Sequence, residues 1–415
     1  MKIVLMHYTA PPIVGGVESV LAHHASLMAK AGHEVTIIAG RGESFDQRIR
    51  VHIVPRLDSR HAEVMAVKAT LDKGRYTPAF DKLRNDIKGD LLDEIRNHDV
   101  LIAHNVASLH KNLALTAALK ELYTIDEFPG LILWHHDLAW FAPRYRRDMH
   151  EGYPWDLLRT PWPGAVHVAV SKFRRQQLSK LLGIPQESIY VITNGVDMTS
   201  FFKFEPLTIQ LIEQLNLIQA DPLFLLPVRL TPRKNIELAL RIMNELITEF
   251  PNAKLLVTGP EGPHNPSNAV YKQKLLDLRK DLKLVDAVHF LAEMATGFIP
   301  DKVIADFYRL ADALLYPSRE EGFGIPLIEA AVNSIPVFCA NIPALRELGG
   351  DDVSYFDIGA DPHLIAKNII GRLRSEATSR WSRRAKHSYT WDSIYITQIA
   401  PLLLEVKGEQ HIPSF

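Results

Sequence analysis

Cysteine is almost absent from this 415-residue chain: Cys339 is the single one. A disulfide framework and a cysteine-ligated metal cluster are thereby excluded, since both need several thiols. Its neighbours Val337, Phe338 and Ala340 mark Cys339 as a small buried hydrophobe rather than a nucleophile. An excess of one charge is also missing. Lysine and arginine number 47 against 48 aspartates and glutamates, a formal net charge of −1, which gives no broad electrostatic grip on nucleic acid. No run approaches 18 uninterrupted apolar residues, so no helical membrane span is expected. The apolar run at residues 3–6 is too short for a signal peptide, and Ala10-Pro11-Pro12 follows at once, so the expected compartment is the cytoplasm. Internal repeats and low-complexity tracts are lacking as well. What remains is a globular composition, with 47% hydrophobic and 23% charged residues, enough for two sizeable cores.

Short β-branched runs alternate with longer helical patterns. Strands are expected at 2–7, 34–39, 51–54, 100–104, 130–134, 166–170 and 190–193, with helices at 17–31, 83–97 and 109–123. After Asn194-Gly195-Val196-Asp197 a second series begins. Its strands are expected at 224–228, 254–259, 288–291, 313–317 and 336–340, and its helices at 236–249, 269–282, 303–310 and 326–333. Alternating β and α elements build parallel sheets, and two series of similar length predict two doubly wound, Rossmann-like α/β domains. The expected domains are 1–197 and 198–387. An amphipathic segment at 390–407 adds a C-terminal helix. Residues 1–196 carry 24 basic against 21 acidic side chains, and the rest 23 against 27. Arg144, Arg146 and Arg147, then Lys172, Arg174 and Arg175, form local basic clusters. They read either as a solvated face or as a contact for an anionic acceptor or acidic lipid surface.

Three segments carry chemistry. Pro11-Pro12-Ile13-Val14-Gly15-Gly16-Val17-Glu18 joins the first strand to the first helix. Its glycines allow close backbone approach, and the helix N-terminus offers N–H groups to an anion. The spacing is not G-x-G-x-x-G, so a turn and a phosphate site stand as equal readings. Val228-Arg229-Leu230-Thr231-Pro232-Arg233-Lys234-Asn235 follows a strand and opens a helix. Arg229 and Lys234 there are either two surface cations or a fork and an ammonium for a pyrophosphate. In Glu321-Gly322-Phe323-Gly324-Ile325-Pro326-Leu327-Ile328-Glu329-Ala330, Pro326 marks a helix's first turn, with Glu329 expected in that turn and Glu321 in the loop before it. Two carboxylates beside free backbone N–H groups suit a polyol, since each can accept two hydroxyl hydrogen bonds.

That last run resembles the E-x7-E signature of the retaining glycosyltransferases of family four, which have the two-domain GT-B architecture. The Arg229–Lys234 loop resembles their donor pyrophosphate loop, and Gly15-Gly16-Val17-Glu18 their N-terminal glycine loop. Asn194-Gly195-Val196-Asp197 resembles the end of their first domain. The resemblance spans residues 3 to about 357. It implies two Rossmann-like domains facing a central cleft, with a C-terminal crossover helix at about 388–415, carrying Trp391, that returns to the first domain. It also implies a role for each matched residue. Arg229 and Lys234 would neutralise the diphosphate of a nucleotide sugar, and Glu329 would hold its ribose. Glu321, with the backbone of Gly322, Phe323 and Gly324, would hold the transferred sugar. Gly16 would touch the phosphate on closure. His136-Asp137 matches a reaction-centre position of the first domain, and Gly15, His135, Asp137 and Arg144 are assigned to the acceptor side. On a strand His135 and His136 point to opposite faces, and His136 is the preferred one. Two positions depart from the family pattern: Val228 replaces the glycine before the arginine, and Ser334 replaces the glycine of Ala-x-Gly-x-Pro.

The resemblance implies transfer of a sugar from a UDP- or GDP-sugar to an acceptor hydroxyl with retention. The leaving phosphate acts as the base, without cofactor or metal; no D-x-D occurs in the sequence. The expected partners are the nucleotide-sugar donor and an unidentified acceptor, with peripheral membrane contact and no nucleic acid. Base choice is assigned to residues 259–263 and 288–291. Three alternatives stand beside it: a nucleotide-sugar 2-epimerase on the same fold, a sugar phosphorylase or glycogen-type transferase, and a catalytically idle nucleotide-sugar-binding protein.

Overall fold

The computed structural model describes residues 1–125, 128–261, 267–294 and 299–408. The chain forms two compact units, Met1–Gly195 together with the segment from Trp391, and Val196–Thr390. The division falls two residues before the expected one. Val196 donates its N–H to Tyr389 and bridges Thr390, which ties it to the second unit.

The first unit has seven parallel strands: β1 (Lys2–His7), β2 (Glu34–Ala39), β3 (Ile49–Ile53), β4 (Val100–His104), β5 (Gly130–His135), β6 (Val166–Ala169) and β7 (Ile189–Val191). Their order is β3-β2-β1-β4-β5-β6-β7. Helices α1 (Gly16–Lys30), α2 (Ala62–Leu71), α3 (Pro78–Ile95), α4 (Leu113–Leu122) and α5 (Lys172–Leu182) accompany it. The central strands are buried on both faces, which is why they read as unbroken apolar runs. On β1, Val4 and Met6 enter the core with α3 and α4, while Ile3 and Leu5 enter the core with α1.

The second unit has six parallel strands: β8 (Leu223–Leu226), β9 (Lys254–Val257), β10 (Val288–Phe290), β11 (Ala313–Tyr316), β12 (Val337–Ala340) and β13 (Ser354–Phe356). Their order is β10-β9-β8-β11-β12-β13. Its helices are α6 (Met198–Phe202), α7 (Pro206–Gln214), α8 (Ile236–Glu249), α9 (Ser267–Asp281), α10 (Asp301–Leu310), α11 (Ile325–Val332), α12 (Pro343–Gly349), α13 (Pro362–Ser375) and α14 (Ala377–Ser388). This α/β construction is a pair of Rossmann-like doubly wound sheets, consistent with GT-B. The chain then adds α15 (Trp391–Ile394), a π-helical stretch (Tyr395–Ile399) and α16 (Ala400–Val406) to the first unit. Trp391, Ile399, Leu402 and Leu403 sit in the same core as Ile3 and Leu5. Residues 409–415 of the expected C-terminal helix lie outside the described residues. Among the described residues no helix is long and apolar enough to cross a membrane.

Candidate functional site

In the second unit, β8 and β11 are neighbours where the strand order reverses. Ligands in open α/β sheets bind outside the carboxyl ends of such strands. Two loops leave from there. The loop after β8 turns Lys234 inward, so that only 8% of it is exposed. Its Nζ lies 2.5 Å from Oε1 of Glu321 and 3.2 Å from the Tyr316 hydroxyl at the end of β11. The Tyr316 hydroxyl donates to the same carboxylate oxygen at 2.7 Å. Arg233 stands 3.8 Å from the other oxygen. Burial alone would push the Glu321 carboxyl up, but the hydrogen bonds from Lys234 and Tyr316 outweigh it and hold Glu321 below its ordinary value. Burial and the same hydrogen bond push the Tyr316 phenol far up, so it remains a donor. Arg229 is exposed and has no side-chain hydrogen bond or ion pair among the described residues. The loops thus hold one buried cation partnered by a carboxylate and one open guanidinium.

Glu329 is on α11. The helix starts at Ile325, with Gly324 as its cap at φ +106° and Pro326 at its second position. This corrects the expectation for Glu329: it lies one full turn into the helix, because the helix begins a residue before Pro326. Gly324 is needed at that φ, and a Cβ there would also come within 2.6 Å of Leu345 Cδ2. Gly322 and Phe323 are exposed beside it. The Tyr308 hydroxyl of α10 donates to Glu329 Oε2 at 2.6 Å, and Tyr308 is almost fully buried. Each glutamate is therefore held by one tyrosine.

One departure from the family pattern is accommodated locally, and the other leaves backbone strain. The backbone of Val228 lies against Gly259, where a Cβ would meet the Val228 carbonyl oxygen at 2.1 Å; the missing side chain is on the facing strand's loop. Ser334 takes φ +56°, a left-handed conformation that a serine adopts only with strain. Residues 259–261 and 288–291 are described, whereas Gly262 and Pro263 lie outside the described residues.

In the first unit the reversal lies between β1 and β4. The loop after β1 ends at Gly15, which caps α1 without any side-chain hydrogen bond. The Glu18 carboxylate lies against Gly15, where a Cβ would come 2.1 Å from its oxygen. Glu18 accepts from Thr9 Oγ1 at 2.5 Å and stands 4.0 Å from His7 Nε2. The negative charge that the N-terminus of α1 favours is thus supplied by Glu18 itself, beside Gly15 and the exposed Gly16.

Asn105, at φ +59° after β4, accepts the N–H groups of His136 and Asp137 at 2.8 and 3.2 Å on its side-chain oxygen. His136 Nε2 lies 3.0 Å from His104 Nδ1, and His7 Nδ1 lies 2.9 Å from the His104 carbonyl. Burial, then the charge of His7, push His136 down to about 3, so it is a neutral imidazole at pH 7. The Asp137 carboxylate accepts from Arg174 at 2.9 Å and Arg144 at 3.3 Å, which joins the two basic clusters at one residue. His135 goes elsewhere. It is buried, with Nε2 3.0 Å from His167 Nδ1, so it does not join the His136–Asp137 group to which it was assigned. His135 closes β5 and faces His167 on the neighbouring β6, whereas His136 lies in the loop beyond the strand.

Sequence reasoning missed His7, His104, Asn105, Tyr308 and Tyr316. The first two had a signal, a histidine ending each strand that flanks the reversal. The tyrosines had none, because an aromatic in an apolar run reads as core.

Residues 14–200 match the family model described as Glycosyltransferase Family 4, and residues 209–388 the one described as Glycosyl transferases group 1. The chain is a nucleotide-sugar-dependent glycosyltransferase on the GT-B scaffold, related to these families. Mannosylglucosylglycerate synthase of Petrotoga mobilis is 27% identical over 296 residues, 66% of this chain and 67% of that one. An uncharacterized glycosyltransferase of Methanocaldococcus jannaschii is 24% identical over 413 residues, 95% of this chain and 96% of its own. D-inositol 3-phosphate glycosyltransferase of Kineococcus radiotolerans is 32% identical over 189 residues, 45% of this chain and 41% of its own.

Proposed function

We propose that the chain transfers a hexosyl group from a UDP- or GDP-sugar to an acceptor hydroxyl with retention of configuration and without a metal. The observation that carries this reading is the Lys234–Tyr316–Glu321 group at the carboxyl ends of β8 and β11, with the open guanidinium of Arg229 on the same loop. Arg229 and Lys234 take the diphosphate, where negative charge grows as the C1–oxygen bond to phosphate breaks. Fixed cations aimed at developing charge are the largest single source of rate in such sites. Glu321 and the backbone of Gly322, Phe323 and Gly324 bind the hydroxyls of the transferred sugar, and Glu329 those of the ribose. The acceptor oxygen bonds C1 on the face that the phosphate leaves, and its proton passes to the departing phosphate oxygen. The neutral imidazole of His136 suits a hydrogen-bonding role in the first unit rather than that of a cationic acid. Gly16 touches the donor phosphate, and Gly15, Asp137 and Arg144 serve the acceptor side.

The test is ligand-induced stabilisation with UDP- and GDP-sugars in EDTA. A donor at 100-fold its Kd adds about 2.7 kcal/mol of stability, and Lys234→Ala removes that gain. Absence of stabilisation by every nucleotide sugar overturns the donor assignment. Turnover abolished by EDTA and restored by Mg²⁺ or Mn²⁺ overturns metal independence.

A further inference from the structure

The Glu321 carboxylate is only half used by the protein. Its Oε1 accepts from Lys234 at 2.5 Å and from the Tyr316 hydroxyl at 2.7 Å, which fills both lone pairs of that oxygen. The Ser318 hydroxyl lies near enough to favour the ionised carboxylate, but its oxygen has no hydrogen-bond partner among the described residues. Oε2 likewise accepts no hydrogen bond among them, yet it is not one of the sealed atoms left without a partner, so a ligand can reach it. One cation faces this oxygen. Arg233, next to Lys234 on the loop after β8, places Nη1 3.8 Å from Oε2. That is too long for a hydrogen bond between the two. It suits a hydroxyl oxygen at the apex of a triangle, about 2.8 Å from each, accepting from the guanidinium and donating to the carboxylate.

The Arg233 side chain is 55% exposed and makes no hydrogen bond among the described residues, so its N–H groups are open to a ligand. Its backbone, in contrast, is fixed. The Arg319 N–H donates to the Arg233 carbonyl at 2.8 Å, and the Arg319 guanidinium donates to Asn235 Oδ1 at 2.7 Å. Asn235 is buried and takes φ +52°. Arg319 stands two residues before Glu321, so these bonds stitch the loop that carries Arg233 to the loop that carries Glu321. The gap between Nη1 and Oε2 is therefore set by both loops before a ligand arrives, which is what a preorganised contact requires. Lys234 is placed differently: two of its three N–H groups point to Oε1 and Tyr316, and one is left for the diphosphate.

We infer that Arg233 is a specificity-determining residue of the donor site, whose guanidinium and Glu321 Oε2 grip one hydroxyl of the transferred sugar from two sides. The inference rests on the reading that Glu321 binds that sugar. Arg229 and Lys234 then serve the diphosphate, and Arg233 serves the hexose. A hydroxyl held as donor and acceptor at once is told apart from a sugar that lacks it, because both partners would be left unpaired. The experiment is isothermal titration calorimetry of the full chain, wild type, Arg233→Ala and Arg233→Lys. The probes are UDP, GDP, UDP-glucose, UDP-galactose, UDP-N-acetylglucosamine and GDP-mannose. Arg233→Ala is expected to weaken the nucleotide sugar that the wild type binds about ten-fold, as for a hydrogen bond to a charged group, and to leave the matching bare nucleotide unchanged. Arg233→Lys keeps the charge and loses the fork, and is expected to recover part of the loss. Unchanged nucleotide binding establishes that the variants are folded. Equal weakening of nucleotide and nucleotide sugar would place Arg233 on the diphosphate and overturn the inference. A nucleotide sugar bound by Arg233→Ala as tightly as by the wild type also overturns it. So does a wild type that binds UDP or GDP but none of the nucleotide sugars, which leaves the nucleotide site standing. A wild type that binds none of the six probes overturns the donor reading itself.

Discussion

The two units bury their ionisable side chains in opposite ways. The first fills its interior with histidines kept neutral: His24, His104 and His135 are buried and pushed far down by that burial. Among the described residues neither ring nitrogen of His24 has a hydrogen-bond partner, and the ring packs edge-on to Trp134 at 4.6 Å. The second unit buries charge and pairs it: Lys234 with Glu321, Asp306 with Arg309, Asp312 with Lys386. A neutral ring is stable in a low dielectric alone, whereas a charge needs its partner. The sheets are built alike, so the difference lies in the chemistry each interior supports, and it should govern how each unit responds to mutation and to acid.

The largest effect is expected where a charge loses its partner. Lys234→Ala should lower kcat/KM about 100-fold or more, as preorganised electrostatic sites do, and leave Glu321 buried without its cation. His136→Ala removes only a neutral ring, and a loss of about five-fold is expected, as for one hydrogen bond. Steady-state kinetics on both variants decides. Equal losses would erase the contrast between the units.

Acid separates them next. A histidine with a depressed folded pKa is protonated first in the unfolded chain, so its contribution is full above about pH 6.5 and falls as pH drops toward the folded value. For His24 and His136, both pushed down to about 3, the loss begins near pH 6.5 and is on the order of 2 kcal/mol each at pH 5. Asp312 behaves otherwise. Burial would raise its carboxyl, but the Lys386 ammonium, His387 and the Leu223 N–H together outweigh burial and hold it down, so its contribution is lost only below about pH 4. The first unit should therefore lose hydrogen-exchange protection in β1, β4 and β5 at higher pH than the second loses it in β8 and β11. Simultaneous loss in a single step below pH 4 would count against this.

How far could this be read from the sequence? The strands of both sheets were legible because two-sided burial turns them into apolar runs, as in Ile3-Val4-Leu5-Met6. The α/β class followed. Helices α5 and α14 were not, since α5 buries only Leu178 and Leu182, and α14 only Ser379 and Arg383, too thin a stripe to show a helical period. The three residues of β13 begin with a serine and gave no pattern. Helix α3 starts five residues before the expected 83, at Pro78, in the first turn where proline is favoured. At the site, motif spacing identified Lys234 and Glu321 as separate residues. Their ion pair joins positions 87 apart and depends on β8 lying beside β11, which spacing does not encode.

The tyrosines that hold the glutamates offer a gentler probe of the second unit. Tyr308→Phe removes one hydrogen bond to Glu329 and should raise the donor KM several-fold, by the roughly 1 kcal/mol of that bond, with kcat little changed. A drop in kcat at constant KM would remove Glu329 from donor binding. Smallest is Ser334→Gly, which relieves a left-handed serine and should stabilise the second unit by about 0.5–1 kcal/mol in denaturant titration. A destabilised variant would mean that the Ser334 side chain is needed where it stands.

The pairing of Val196 with Thr390 has a consequence for synthesis. It brings the two ends of the second unit together, so that unit is an insertion within the first. A ribosome completes all seven strands of the first sheet by Val191, yet Trp391, Ile399, Leu402 and Leu403, which its core requires, emerge only after the whole insertion. The unit that starts first is therefore finished last, and it waits with an open apolar face while its neighbour folds.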